Sequence, residues 1–191
     1  MDAKSPGIAR TKLKTMGQPA GNVGELFLED VRVPASSILG KANEGFKVAF
    51  NTFAVDRMCI AARSIAEAEL AFRLTVDFVK QRESFGHKVF EYQNTQFKLA
   101  EMKTELEVAR AFHDRCLWDY RDGKLDLARS AMLKLHSAQM ACRVVDDCVQ
   151  LHGGAGWMDS STVSRIYTSV RLQRIYAGTD EMQKIAIARS I

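Results

Sequence analysis

Three short stretches of the 191-residue chain set glycine beside side chains that donate hydrogen bonds or stack: RESFGHK at 82–88, HGGAGW at 152–157 and YAGTDE at 176–181. A plain polar turn suffices to join two helices, so this composition asks for a second use. The Arg82 fork matches a phosphate or pyrophosphate and stands near the Ser84 hydroxyl and the Phe85 ring. Alternatively, Arg82 caps the preceding helix and Phe85 plugs the core. Gly153, Gly154 and Gly156 let backbone approach a planar ligand, or they end a helix in a tight turn, with Gln150 and His152 on the near side. Thr179 can cap the last helix after a bend at Gly178, and the free amides there can receive a ligand oxygen. On these residues alone, both readings of each stretch stand.

Other chemistries find no support. His87, His113, His136 and His152 form no HExxH, so no metal site is expected, and His113 lies on a helical stripe suited to a core or interface. Neither GxGxxG after a strand nor GxxxxGK followed by a hydroxyl residue occurs, and no serine has GxSxG around it. Cys59, Cys116, Cys142 and Cys148 lack CxxC spacing and read as buried free thiols of a reducing compartment.

The elements that carry these stretches are mostly helical. From Glu44, apolar residues recur at helical spacing: Phe46, Phe50, Phe53, Ile60, Leu70 and Leu74, ending near Lys80. Leu99, Met102, Leu106, Ala109, His113 and Cys116 form a second stripe, from Tyr92 to about Arg121. Leu127, Ala131, Leu135, Ala138, Cys142, Val145 and Val149 form a third, entered through DGKLD and ended by Gly153 and Gly154. A shorter helix from Ser161 to about Arg171 and a last one from Asp180 follow. Residues 1–43 differ: GELFLEDVRVP at 24–34 has strand character, yet about 40 residues cannot build a covered sheet. The expected fold is all-α, a four-helix up-down bundle with a short extra helix in residues 44–191, preceded by a small β remnant in residues 1–43. Alanine-rich stripes allow close helix contacts, and two-sided apolar character raises a subunit interface as an expectation.

The composition bounds the partners. With 47% apolar residues the chain can fill a core, and 27 Lys plus Arg against 23 Asp plus Glu leave only a diffuse +4. That balance argues against a nucleic-acid surface. No run of 18 apolar residues exists for a membrane span, and the opening MDAKSPGIARTKLK lacks the apolar stretch of a secretion signal.

Taken in series, GELFLEDVRVPASSILG…GF, VKQRESFGHKV…YQNTQFKLAEM, DDCVQLHGGAGW and IYAGTDEM resemble the C-terminal part of the acyl-CoA dehydrogenases, nearest the long-chain branch, over essentially the whole chain. The resemblance implies oxidation of an acyl-CoA thioester to the trans-2-enoyl-CoA. A carboxylate takes the α-proton, the β-hydrogen leaves as hydride to the flavin of FAD, and an electron-transfer flavoprotein accepts the electrons. It also implies a homodimer or homotetramer, in the bacterial cytoplasm or the mitochondrial matrix. Arg82, Ser84 and Phe85 resemble the RxTFG residues that hold FAD across a subunit interface, with serine in place of threonine. Gln93 resembles another cofactor-side position. Gln150, Gly153 and Gly154 resemble a QxxGG motif near the adenine end of FAD on the neighbouring subunit. Thr179 and Glu181 resemble the GTxQ positions that contact the cofactor, with glutamate where glutamine is common, and Tyr176 resembles the aromatic beside the acyl pocket.

The catalytic base is where the chain departs from many relatives. Many members carry glutamate in YEGT, where this chain has Ala177, which takes no proton. Long-chain and isovaleryl members place glutamate before an arginine on the first long helix, and the matching residues here are Asp56 and Arg57. Asp56 is therefore the candidate base, about 1.5 Å shorter in reach than glutamate. A misplacement of about 1 Å can cost on the order of a hundredfold in rate, so the difference bears on activity. The alternative for Asp56 is a salt bridge within the helix. Adjacent helical residues do not face each other, so Arg57 is expected to meet acyl-CoA or a subunit interface instead. The chain start reads as a cut within the β domain, and the polypeptide alone is expected neither to hold FAD tightly nor to turn over. Two rivals stand beside this reading, a catalytically silent helical assembly module and an acyl-CoA oxidase.

Overall fold

The computed structural model describes residues 2–21 and 23–191, apart from the side chains of residues 50 and 51, so the expected apolar role of Phe50 lies outside the described residues. The chain divides into two units, Met1–Thr52 and Phe53–Ile191.

In the first unit, β1 (Ile8–Lys12) and β2 (Gly24–Leu28) pair antiparallel, Ile8 opposite Leu28 and Lys12 opposite Gly24. The strand expected over 24–34 ends earlier, at Leu28, where Asp30 turns the chain with a φ of 48°. Among the described residues these two strands form a sheet of their own, and Leu26, Phe27 and Leu28 are all exposed.

The second unit is helical. Helix α1 (Gly45–Gln81) starts before its first residue and, at 37 residues, is about 55 Å long. A two-stranded hairpin follows, β3 (Glu83–Ser84) and β4 (His87–Lys88), turned by Phe85 and Gly86 at φ 51° and 80°. Two consecutive left-handed residues form the tight turn that matches strand twist, at the cost of holding a phenylalanine where glycine or asparagine is usual. Then come α2 (Gln93–Arg121), α3 (Leu127–His152), the single turn α4 (Gly154–Trp157), α5 (Thr162–Leu172) and α6 (Asp180–Ala188).

Leu99, Met102, Leu106, Ala109 and Cys116 are buried on α2 at the expected spacing. The first four share a core with Ile65, Ala68, Ala71 and Val79 of α1, Ala141, Val144, Val145 and Cys148 of α3, and Val163, Ile166 and Val170 of α5, while Cys116 packs in a second cluster with Met58, Ala61 and Leu133. Ala61, Ala68, Ala71, Ala109, Ala131, Ala138 and Ala141 have no exposed surface, as expected if small side chains let helix backbones approach. Helix α3 packs against α2, α5 and α6, so its buried surface wraps beyond the expected stripe to Leu133, Met140 and Val144. Its start is capped by Asp126, whose carboxylate accepts from the Arg129 amide at 2.6 Å, and its end by Gly153 at φ 55°.

Two expectations need correction. Among the described residues there are six α-helices, not a four-helix bundle with one short extra helix. The region after α3 is broken because Ala177 and Gly178 adopt φ 49° and 91°, which no helix continues through. The thiols are not all buried: Cys116 and Cys148 are, Cys142 is partly so, and Cys59 is exposed on α1.

The helix order sorts the loops onto two ends. Near the end of α3, His152 stacks on Phe78 of α1 at 4.4 Å, and its Nδ1 lies 3.4 Å from the Thr75 hydroxyl. Near the start of α3, Arg57 of α1 donates to the Leu127 carbonyl. Helices α1 and α3 therefore run parallel with α2 antiparallel, and the 82–92 hairpin region shares one end with the 152–157 turn.

Candidate functional site

At the other end, Asp56, Cys59, Ile60 and Arg63 line a groove of about 360 Å³ together with Tyr176 and Ala177. Spacings of three, four and seven set the α1 residues on one helical face. The groove thus unites Asp56 and Ala177, the two positions at which the sequence resemblance implies a base. Asp56 is exposed, and among the described residues its carboxylate has no hydrogen-bond or ion-pair partner, so the expected alternative of a salt bridge within the helix is not observed. Arg57 points elsewhere: its guanidinium is 6% exposed and donates to the Leu127 carbonyl at 3.2 Å and the Ser130 hydroxyl at 3.4 Å. It lies over the Phe53 ring, and burial lowers its pKa. Arg57 is engaged within its own chain, with α3, rather than turned toward the groove.

The turn between α5 and α6 is built on buried polar groups. The Tyr176 hydroxyl donates to the Gln173 side chain at 2.5 Å, and Gln173, with no exposed surface, donates to Glu67 at 3.1 Å. Arg63 pairs with Glu67 at 2.9 Å and reaches the Ser169 hydroxyl at 3.2 Å, so a groove residue and the groove aromatic are tied to one carboxylate. Burial pushes the Tyr176 phenol up. Asp180, 4% exposed, accepts from Arg174 at 2.8 Å and Gln139 at 3.0 Å. These bonds explain why a polar segment sits between apolar helices. Thr179 occupies the cap position of α6 without a side-chain bond to the backbone. The Glu181 carboxyl is held below its ordinary value by its own amide and then by the Thr179 hydroxyl.

The remaining candidates lie at the opposite end. Phe85 does not plug the core: it is 95% exposed at the hairpin tip. The Arg82 guanidinium caps nothing and has no partner among the described residues. Ser84 is half-buried, its carbonyl accepting from the Tyr92 hydroxyl at 2.7 Å, while Gln93 and Gln150 are exposed. A side chain at Gly153 or Gly154 would meet nothing within 4 Å, so both face open space. Gly156 differs: a Cβ there would fall 2.7 Å from the Val149 carbonyl, and this glycine serves close packing on α3. From Lys134, beside the 176–180 turn, to Gln150 the rise of α3 is about 24 Å. One chain therefore separates Thr179 and Glu181 from Arg82, Gln150 and Gly153.

Sequence reasoning missed Lys134, Gln173 and Gln183, each with no exposed surface. Lys134 sits between Ala131 and Ala138 at core spacing, a signal that was present in the pattern.

Comparison with known proteins covers most of the chain. Residues 43–191 match the family model of the acyl-CoA dehydrogenase C-terminal domain. The mitochondrial long-chain specific acyl-CoA dehydrogenase of Sus scrofa is 42% identical over 180 residues, 94% of this chain and 42% of its own length. The acyl-CoA dehydrogenase of Geobacillus kaustophilus aligns at a TM-score of 0.97 and 39% identity, covering 100% of this chain and 50% of that one. Butyryl-CoA dehydrogenase of Megasphaera elsdenii aligns at 0.94 and 32%, with 100% and 50% covered. The chain spans about half the length of the relatives it matches. By sequence and by fold, the chain belongs to the acyl-CoA dehydrogenase family, with residues 43–191 as its C-terminal domain.

Proposed function

We propose that this domain supplies the catalytic base and part of the flavin grip of an FAD-dependent acyl-CoA dehydrogenase that converts acyl-CoA thioesters to trans-2-enoyl-CoA. The observation that carries the reading is the single groove lined by Asp56, Tyr176 and Ala177. Asp56 takes the α-proton of the thioester, a role open to it because, among the described residues, no cation holds its carboxylate. Ile60 and Tyr176 give the acyl chain apolar surface, and the Tyr176 ring is kept in place through Gln173 and Glu67.

The exposed groups at the far end suit a flavin nucleotide. Arg82 is free to meet a pyrophosphate, Phe85 presents a ring face, and Gly153 and Gly154 leave their approach open. Arg82, Ser84, Phe85, Gln93, Gln150, Gly153 and Gly154 would hold FAD, with Thr179 and Glu181 serving at the groove end. Because about 24 Å of α3 lies between the two sets, the cofactor site draws on two copies of the chain, a homodimer or a pair within a homotetramer. FAD, when bound, supplies the hydride acceptor. An electron-transfer flavoprotein is the proposed acceptor beyond it, and the mitochondrial matrix or bacterial cytoplasm the proposed compartment.

The test is steady-state dehydrogenation of hexadecanoyl-CoA by the flavin-loaded enzyme carrying this domain. Asp56→Asn should lower kcat by about 10²–10⁴, the range of general-base catalysis, with thioester binding retained. Full activity in that variant would remove Asp56 from the role.

A further inference from the structure

Among the described residues, Lys134 is the largest side chain with no exposed surface at all. Its ammonium donates to the Gly178 carbonyl at 2.8 Å. Gln183 of α6, equally buried, donates to the same carbonyl at 2.8 Å and to that of Ala177 at 3.1 Å. Two helices thus aim buried donors at two consecutive carbonyls of the turn that lines the groove. The backbone they hold is one the chain does not adopt freely, with Ala177 at φ 49° and Gly178 at φ 91°. The fit is close, since a Cβ on Gly178 would fall 2.8 Å from the Gln183 amide nitrogen.

A buried ammonium is a poor device for stability, because apolar replacements of similar volume often serve as well. Burial lowers the Lys134 pKa, and the Asp180 carboxylate offsets this only in part. The charge therefore works against burial, and the one hydrogen bond it makes among the described residues goes to the groove turn.

We propose that Lys134 is a positioning residue of the acyl groove: with Gln183 it locks Ala177 and Gly178 in left-handed backbone, setting Tyr176 and Ala177 opposite Asp56. This inference rests on the groove's proposed role, but the lock itself is a property of the fold. Lys134 touches neither groove nor reacting atoms, so it acts through the Gly178 carbonyl.

Hydrogen exchange tests the lock without any turnover. In Lys134→Met, amides of Tyr176–Thr179 should exchange on the order of tenfold faster or more, while amides of α2 keep their rates, because one hydrogen bond to a charged group is lost locally. In the flavin-loaded enzyme the same variant should lose kcat on hexadecanoyl-CoA by about ten- to a hundredfold, with KM little changed, as expected for a misplaced groove wall. Lys134→Gln, which keeps a donor, should recover part of both. If Lys134→Met does not fold, Gln183→Leu removes the second donor from another helix and should loosen the same amides. Wild-type exchange at 176–179 in a folded variant would overturn the proposal, as would faster exchange spread evenly over α2, α3 and α6 with kcat intact. Local loosening in a protein whose wild type lacks dehydrogenase activity would support the lock and refute the proposed function instead.

Discussion

Asp56 on the first long helix and Ala177 in the turn before the last helix line one groove. The two positions at which the family resemblance implies a catalytic carboxylate therefore line one volume. In this chain the helix wall carries the carboxylate, and the turn wall carries a methyl group.

Cys59 follows from the same geometry. It is exposed, lies one helical turn beyond Asp56 and lines the groove. In the flavin-loaded enzyme, iodoacetamide should label Cys59 first, and saturating hexadecanoyl-CoA should slow that labelling by about tenfold or more, read by peptide mass spectrometry. Cys148, buried and with its pKa pushed up to about 11, should stay unlabelled under native conditions. Equal labelling of Cys59 with and without the thioester would place the acyl chain elsewhere.

Phe85 separates stability from cofactor binding. A ring that is 95% exposed contributes little to the fold, so Phe85→Ala should change unfolding free energy by no more than about 0.5 kcal/mol. Flavin retention in the assembled enzyme should nevertheless weaken, by about tenfold or more for one lost stacking contact. Chemical denaturation and flavin release, measured on the same preparation, check both halves.

The junction of α2 and α3 carries an acid-sensitive link. Asp119 accepts from Arg129 and from Arg115, and these bonds, the Arg129 one first, hold its carboxyl below the ordinary 3.8. Its folded pKa is depressed, so its contribution to stability is present above the unfolded value and is lost as pH falls through the folded one. Thermal midpoints of wild type and Asp119→Asn should differ most above about pH 4 and converge at more acid pH. A gap that stays constant across that range would show that the ion pairs are not the source of the difference.

Much of this was legible in the residues. The Asp126 cap and the Gly153 stop mark the ends of α3 where turn chemistry requires them, and the stripe from Leu99 to Cys116 names the buried face of α2. Local rules reach that far because caps and periodicity are properties of neighbouring residues. The left-handed turn at 177–178 is different, for it depends on Lys134 and Gln183, which only tertiary packing brings to it. The exposure of Phe85 and Cys59 was hidden for the same reason, since an apolar side chain on a loop or a helix declares its type and not its neighbours. Arg57 shows the converse: helical geometry separates it from Asp56, but only the fold reveals its partners in Leu127 and Ser130.

The central claim is that Asp56 removes the α-proton of a thioester bound in this groove. Proton removal can be watched apart from hydride transfer by incubating the flavin-loaded enzyme in deuterated water with a 3-thia-acyl-CoA, which has no β-hydrogen to give up. Mass spectrometry then follows deuterium entering the α-carbon. The account predicts rapid exchange with Asp56 in place and a loss of about 10²–10⁴ in Asp56→Asn, with the analogue still bound. Undiminished exchange in that variant would contradict it.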